Sequence, residues 1–335
     1  MSSLRGGIDL GGTKIQALVV DGERTVRGRA RHPTPTTGGP EQVAEAMVAA
    51  QQEAAQDAGL SAASELRGVG AGCPGQVDAD AGTVERAGNL PHWEAPFPLA
   101  ERLQRGLAAP VRLGNDVSVA TMAEFHLGGG APYSSLLGVF WGTGVGGGIV
   151  LDGRLWEGRG SAGEIGHTVI KRGGARCPCG RRGCLEAYAG RKAMEARARA
   201  KHERGTKTEL FEIMRHRGRD RLTSGVWERA VDGGDHLAHR LLERAVRALG
   251  TGIASAINLL DVEAVVLGGG LGVRFGARYL QDIEREMVRH LFHDSKPPKL
   301  FVTELGDDGG GLGAAMLVPE HPQPARAEPA GATAG

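Results

Sequence analysis

The chain has 335 residues, a formal net charge of +1 and 41% hydrophobic residues, enough for two domains of ordinary size and typical of a soluble globular protein. Near-zero charge removes the electrostatic signature of a nucleic-acid binder, and no apolar run approaches the roughly 20 residues that span a bilayer. Glycine is the unusual component: its 55 copies are roughly double the usual share and gather in loops, where backbone can approach a ligand closely.

Residues 4–22 open with an apolar stretch, run into Asp9-Leu-Gly-Gly-Thr-Lys14 and continue in a second apolar stretch, Ile15 to Val20. The pattern predicts strand, glycine turn, strand. It is not a Walker A loop, which needs a longer glycine spacing leading into a helix. Gly11 and Gly12 expose backbone N–H groups, Thr13 adds a hydroxyl and Lys14 a cation, a set that suits a phosphate. An ordinary Gly-Gly hairpin with a surface lysine fits the same letters.

Residues 41–59 have helical spacing and end at Gly59, a C-cap residue. Val69 to Val77 reads as a short strand entering a Gly/Pro turn, and Cys73 within it as a small buried residue. Asn89-Leu-Pro-His-Trp93 is an irregular loop, either a substrate lip or a surface turn. Val111 to Val117 predicts a strand ending in Asn115-Asp116, then a helix through Phe125. Polar residues there face the ligand edge of an α/β sheet, although Asn and Asp are also preferred helix N-caps. A helix N-terminus favours the ionised form of Asp116, as a carboxylate base requires.

Residues 138–153 match residues 7–22 in pattern: each begins with Gly, turns on glycine at the same offset (Gly142 against Gly11) and ends in an apolar run, Asp, Gly. This predicts an internal repeat, two hairpins from two related domains. Gly142, Gly144 and Gly147 also fit the dinucleotide fingerprint by spacing, but that fingerprint must open a helix, and Ile149-Val-Leu151 is strand-like. Two phosphate-suited turns, Gly11–Lys14 and Gly142-Thr143-Gly144, imply a phosphate chain held between them.

Residues 163–186 carry His167, Cys177, Cys179 and Cys184, the ligand types and count of a closed tetrahedral zinc site. Pro178, Gly180 and Gly183 let the backbone fold tightly, and Glu164 and Glu186 bracket the ligands. A disulfide is the alternative. No signal peptide is evident, so a reducing cytoplasm is expected, where clustered cysteines lean toward metal or redox chemistry. The spacing, C-x-C with four residues before a lone Cys, is not the usual redox C-x-x-C.

Ala187 to Arg221 reads as helical and basic, with Arg197, Arg199, Lys201, Arg204, Lys207, Arg215, Arg217, Arg219 and Arg221. A solvated face is the plain reading and a polyanion site the sharper one. His239 to Asn258 predicts a long helix whose small residues pack against a sheet. Glu263 to Leu267 predicts a buried strand released into a third glycine-rich loop, Gly268-Gly269-Gly270-Leu-Gly272, able to admit a nucleotide's base and ribose. An amphipathic helix over 275–292 and a Gly-to-helix junction over 309–316 follow. From Pro319 the Pro/Ala/Gly-rich tail has no apolar period and reads as disordered.

Asp9-x-Gly-Gly-Thr-Lys14, Pro74-Gly75, Asn115-Asp116, Gly142-Thr-Gly144, Glu164-x-Gly-His167, Cys177-x-Cys-Gly-x-x-Gly-Cys-x-Glu186 and Gly268-Gly-Gly270 together resemble the ROK group of sugar kinases and related repressors, within the actin-like (sugar kinase, heat-shock 70, actin) ATPase fold. The resemblance implies a two-domain α/β fold: a small domain over 1–117, a large one over 118–318 with a zinc loop at 164–186, a last helix able to pack back on the small domain, and a tail over 319–335. It implies that Asp9, Gly11, Gly12, Thr13, Lys14, Gly142, Thr143, Gly144, Gly268, Gly269 and Gly270 bind ATP and Mg²⁺, and that His167, Cys177, Cys179 and Cys184 bind a structural Zn²⁺. It further implies that Gly75, Asn89, Asn115, Asp116, Glu164, His167 and Glu186 hold the sugar, with Asp116 as general base and His167 giving one nitrogen to metal and one to sugar.

Repressors of this group carry an N-terminal DNA-binding domain, for which the early hairpin leaves no room. The expectation is therefore a cytoplasmic glucokinase, a homodimer or homotetramer. Another hexose, polyphosphate as donor, or a non-catalytic sugar-responsive regulator are the alternatives.

Overall fold

The computed structural model describes residues 4–88 and 90–319. These form two compact units: the described residues up to Asp116 with those from Gly311 onward, and Val117–Gly310.

The first unit begins with β1 (Arg5–Leu10), β2 (Lys14–Val20) and β3 (Val26–Pro33), followed by α1 (Gly39–Asp57). β1 and β2 pair antiparallel, Leu10 opposite Ile15 and Asp9 opposite Gln16. This is the expected hairpin, and its apolar residues Ile8, Leu10, Ile15 and Val19 are buried. Helix α1 buries Val43, Met47, Ala50 and Ala54, one stripe at helical spacing, and Gly59 just beyond it has φ +80°. β4 (Val69–Cys73), β5 (Gln76–Asp78), β6 (Thr83–Glu85), α2 (Leu99–Leu107) and β7 (Val111–Asn115) complete the unit's first stretch.

The sheet order is β3-β2-β1-β4-β7, with β1, β4 and β7 parallel. Asp9 lies opposite Gly72, and Cys73 opposite Asn115. Asp9, Cys73 and Asn115 therefore share the carboxyl edge of the sheet, where ligands of such sheets bind. Trp93 is no substrate lip. It is buried, donates from its indole N–H to the Val84 carbonyl at 2.9 Å and packs edge-on against Phe97. Asn89 lies outside the described residues.

In the second unit α3 (Asp116–Leu127) leads to β8 (Leu136–Trp141), β9 (Val145–Leu151) and β10 (Arg154–Leu155). α4 (Glu186–Ala189), α5 (Arg191–Glu203), α6 (Leu210–His216), α7 (Ser224–Asp232) and α8 (His236–Leu260) follow. Then come β11 (Ala264–Gly268), α9 (Gly269–Val288) and β12 (Lys299–Val302), and the chain returns to the first unit within α10 (Gly309–Met316). The sheet order is β10-β9-β8-β11-β12, with β8 antiparallel to β9 and parallel to β11, which is parallel to β12. This is the pattern of the first sheet. The repeat seen faintly between residues 7–22 and 138–153 extends over five strands.

Two expectations change here. Residues 187–221 are not one helix: α5 ends before Gly205 (φ +88°), and α6 starts where the Asp235 carboxylate accepts from the Thr208 hydroxyl (2.7 Å) and the Glu209 N–H (2.6 Å). The same carboxylate caps α8 through the Ala238 N–H at 2.8 Å. Gly268–Gly272 is not a loop either, because β11 runs to Gly268 and α9 begins at Gly269. The small residues of α8 serve helix packing and not the expected packing on a sheet: a Cβ on Gly250 would lie 2.6 Å from the Glu286 Cβ of α9. Among the described residues no helix is long and apolar enough to cross a membrane.

α10 packs on the first sheet. A Cβ on Gly7 would fall 2.0 Å from the Gly311 carbonyl oxygen, and one on Gly70 1.8 Å from that of Ala314. Only hydrogen side chains admit that approach. Gly70→Ala is expected to cost about 1–3 kcal/mol in urea unfolding. Gly22→Ala, where nothing lies within 4 Å, should stay within about 0.5 kcal/mol.

Candidate active site and metal centre

The segment from Gly163 to Glu186 folds on itself through tight turns. Gly180 and Gly183 have φ near +87° and +88°, the Gly180 N–H donates to the Cys177 carbonyl (3.0 Å), and the Cys177 N–H to that of Arg181 (2.8 Å). These turns bring one ligand atom each from His167, Cys177, Cys179 and Cys184 within 4.8 Å of one another. Cys177 Sγ is 3.8 Å from His167 Nδ1, and Cys179 Sγ is 3.8 Å from Cys184 Sγ. A tetrahedral zinc with Zn–S of about 2.3 Å and Zn–N of about 2.0 Å requires edges of about 3.8 Å (S–S) and 3.6 Å (S–N). The donor set fits the ion. The disulfide alternative does not fit, since a bonded pair stands about 2.05 Å apart and all four cysteines are free. Burial pushes the Cys177 thiol up and the Glu186 carboxylate pushes the same way, a strain that a dication among the sulfurs relieves.

The two bracketing carboxylates are placed differently. His167 turns Nδ1 to the cysteines and Nε2 toward Glu164, whose Oε2 is 3.9 Å away. Glu186 is half-buried at the start of α4. Its Oε2 accepts from the Val145 N–H at 2.9 Å, and its Oε1 lies 3.8 Å from Cys177 Sγ. A Cβ on Gly144 would fall 2.2 Å from that Oε2, so the glycine makes room for the carboxylate. The second hairpin turn and the metal loop thus meet at Glu186.

Two helix starts surround the same turn. Gly269, the first residue of α9, has φ +80°, and a Cβ on it would lie 2.7 Å from the Trp141 carbonyl oxygen. Gly270 N is 3.6 Å from the Cβ position of Gly142. Gly268, Gly269 and Gly270 thereby join Gly142, Thr143 and Gly144, although as a strand-to-helix junction. The start of a long helix is a natural anion site.

In the first unit the turn Gly11–Lys14 closes with the Gly11 N–H on the Lys14 carbonyl (2.9 Å), while Thr34 donates its hydroxyl to the Gly11 carbonyl (2.6 Å). Gly12 and Thr13 at its tip are exposed. Lys14 Nζ donates to the Gln16 side-chain oxygen at 3.3 Å. Gly75 (φ +91°) follows β4 beside Glu85. Asn115 ends β7 and Asp116 opens α3. The buried Cys73 thiol is pushed up by burial first, then by Asp116 and by Asp9. Two carboxylates therefore bear on one point of the sheet edge.

The ROK family profile matches residues 5–321. The chain belongs to the ROK family. Its fold is the ROK sugar kinase fold of the actin-like ATPase class. This ROK chain is 33% identical over 321 residues to the glucokinase of Streptomyces coelicolor, covering 94% of this chain and 97% of that one. It is 34% identical over 235 residues to an N-acetylmannosamine kinase of Haemophilus influenzae, covering 67% and 68%. Among solved structures, a ROK glucokinase from Streptomyces griseus in complex with glucose and AMPPNP superimposes with a TM-score of 0.79 at 31% identity, covering 94% and 98%.

One residue in contact with the Gly142–Gly144 turn was not singled out from the sequence. The basic stretch counted from Arg197 leaves out Arg191, whose backbone N–H donates to the Gly142 carbonyl (3.1 Å) and whose Nη2 donates to the Thr143 hydroxyl (3.0 Å). Its position directly after Gly190, at a helix start, was the available signal.

The purified chain is expected to carry a single zinc ion by mass spectrometry. Cys179→Ser should lower both zinc content and thermal stability. Metal-free protein melting at the same temperature would contradict the metal centre.

Proposed function

We propose that this ROK sugar kinase transfers the γ-phosphoryl group of ATP to the 6-hydroxyl of glucose, with Asp116 as general base. The observation that carries the reading is the place of Asp116: head of α3, at the carboxyl end of β7, near Asp9. A carboxylate at a helix N-terminus stays ionised at low cost. It can accept the proton of a sugar hydroxyl as that oxygen attacks phosphorus.

Each remaining residue has a share in binding. Gly75, Asn89, Asn115, Glu164, His167 and Glu186 would hold the sugar with Asp116. His167 Nε2 is suited to a hydroxyl because its Nδ1 faces the cysteines, which fixes the tautomer once a metal is bound. The turns Gly11–Lys14 and Gly142–Gly144 and the glycines 268–270 would hold the nucleotide. Asp9, at the end of β1, is placed to bind Mg²⁺, which when bound neutralises phosphate charge. Four protein donors leave a zinc ion no open position, so its work is to hold the loop that carries Glu164, His167 and Glu186. The full-length likeness to glucokinases favours glucose. The partial match to an N-acetylmannosamine kinase favours that sugar as the second reading.

Asp116→Asn is expected to lower kcat by about 10²–10⁴-fold while glucose affinity, read by calorimetry, is kept. Full activity in that variant would remove Asp116 from the role. A panel of glucose, mannose, N-acetylmannosamine, N-acetylglucosamine and fructose, each with ATP and with polyphosphate, should give the highest kcat/KM for glucose with ATP. Sugar binding with no ADP formed for any pair would mark a regulator.

A further inference from the structure

Arg191 is only 8% exposed, and its guanidinium meets neutral oxygens. Nη1 donates to the Leu222 carbonyl at 3.0 Å and Nη2 to the Thr143 hydroxyl at 3.0 Å. Burial disfavours its charge, Arg221 adds to that and Glu195 opposes it, yet a guanidinium stays protonated in proteins. A buried cation whose hydrogen-bond acceptors are neutral is costly. An anion arriving beside it offsets that cost.

The backbone shows where such an anion would sit. The N–H groups of Arg191 and Lys192, first in α5, donate to the carbonyls of Gly142 and Thr143 at 3.1 Å each. In a trans peptide the C=O and the following N–H point in opposite directions. With those two carbonyls turned into the start of α5, the N–H groups of Thr143 and Gly144 point away from it. The Thr143 hydroxyl accepts from Arg191, so its own proton is left to donate elsewhere. Three donors are thus set on one turn by one helix start. Glu186 accepts from the Val145 N–H one residue further on, so the amides of this turn are divided between a carboxylate and the open side.

We propose that Arg191 is the positioning residue of this turn: it orients the Thr143 hydroxyl and the turn amides toward a nucleotide phosphate and places a buried positive charge beside them. This rests on reading Gly142–Gly144 as a phosphate grip. Arg191 acts through Thr143 and the local field.

The test uses the full chain, with affinity for AMPPNP and for glucose measured separately by calorimetry, and folding checked by circular dichroism and zinc content. Arg191→Met is expected to weaken AMPPNP binding about tenfold or more, the worth of one charge-assisted hydrogen bond, with glucose affinity unchanged. Thr143→Val should do the same, Thr143→Ser should restore binding, and the double variant should be no worse than the worse single, because the two residues act as one unit. Should Arg191→Met fail to fold, Arg191→Lys carries the test: its ammonium lacks the planar fork that holds the Leu222 carbonyl and the Thr143 hydroxyl in one geometry, and a nucleotide-only loss is expected. Equal losses for glucose and AMPPNP would make Arg191 merely structural and overturn the proposal. Unchanged AMPPNP affinity in the Arg191 variants, with a loss in Thr143→Val, would overturn it while leaving the grip intact. No change in either series would overturn the grip as well.

Discussion

The convergence of one imidazole and three sulfurs within 4.8 Å is the constraint on which the second unit's site depends. Cys184 leads directly into Leu185 and α4, so whatever fixes the sulfurs fixes Glu186. Tyr188, two residues further on, accepts from the Ala175 N–H at 2.9 Å and lies under the Arg244 guanidinium at 4.4 Å. This ties the loop at Ala175 to α4. Trp141 donates its indole N–H to the Ala189 carbonyl at 2.8 Å, tying β8 to the end of α4. Loop, short helix and hairpin thus form one connected piece, and a displaced sulfur is felt at the hairpin turn through Glu186.

The two sheets share one topology but secure their hairpin turns by different means. The first turn is closed by Thr34, just past the end of β3, on the Gly11 carbonyl, 23 positions away in sequence. The second is held by α5 and Glu186, which lie more than forty positions along the chain. A turn held through Glu186 can respond to the metal loop; one closed by Thr34 need not. The chemistry assigned to Asp116 stands apart from the metal, since the Cys/His donors leave no coordination position for a reacting atom.

The hairpins, the cap-like Asn115-Asp116 and the metal ligands were legible in the sequence, because alternation, strand-end polarity and ligand spacing are local signals. The doubled sheet was legible only as two faint hairpins, since strand order is set by pairing between distant residues. Gly268–Gly270 read as a loop because glycine is a poor helix former. Here close packing on the Trp141 carbonyl outweighs that preference, and α9 begins at Gly269. The breaks between residues 187 and 221 depend on Asp235, which lies beyond that stretch and whose carboxylate caps from a distance. Residues 89–93 read as either a lip or a surface turn because Asn, Pro and His are polar or turn-forming; the burial of Trp93 comes from Val84 and Phe97. Arg191 was hidden among basic residues that mostly face solvent; its place after Gly190 was a faint signal, and its burial is what sets it apart.

The central claim is that a metal-held loop presents the sugar-binding side chains while another part of the chain carries the chemistry. Calorimetric titration of glucose into the zinc-loaded and the zinc-stripped full chain, with AMPPNP titrated in parallel, tests it most directly. The expected result is a loss of glucose affinity of about tenfold or more on stripping, with AMPPNP affinity changing much less and glucose affinity returning when zinc is restored. Equal glucose affinity in zinc-free, folded protein would contradict it.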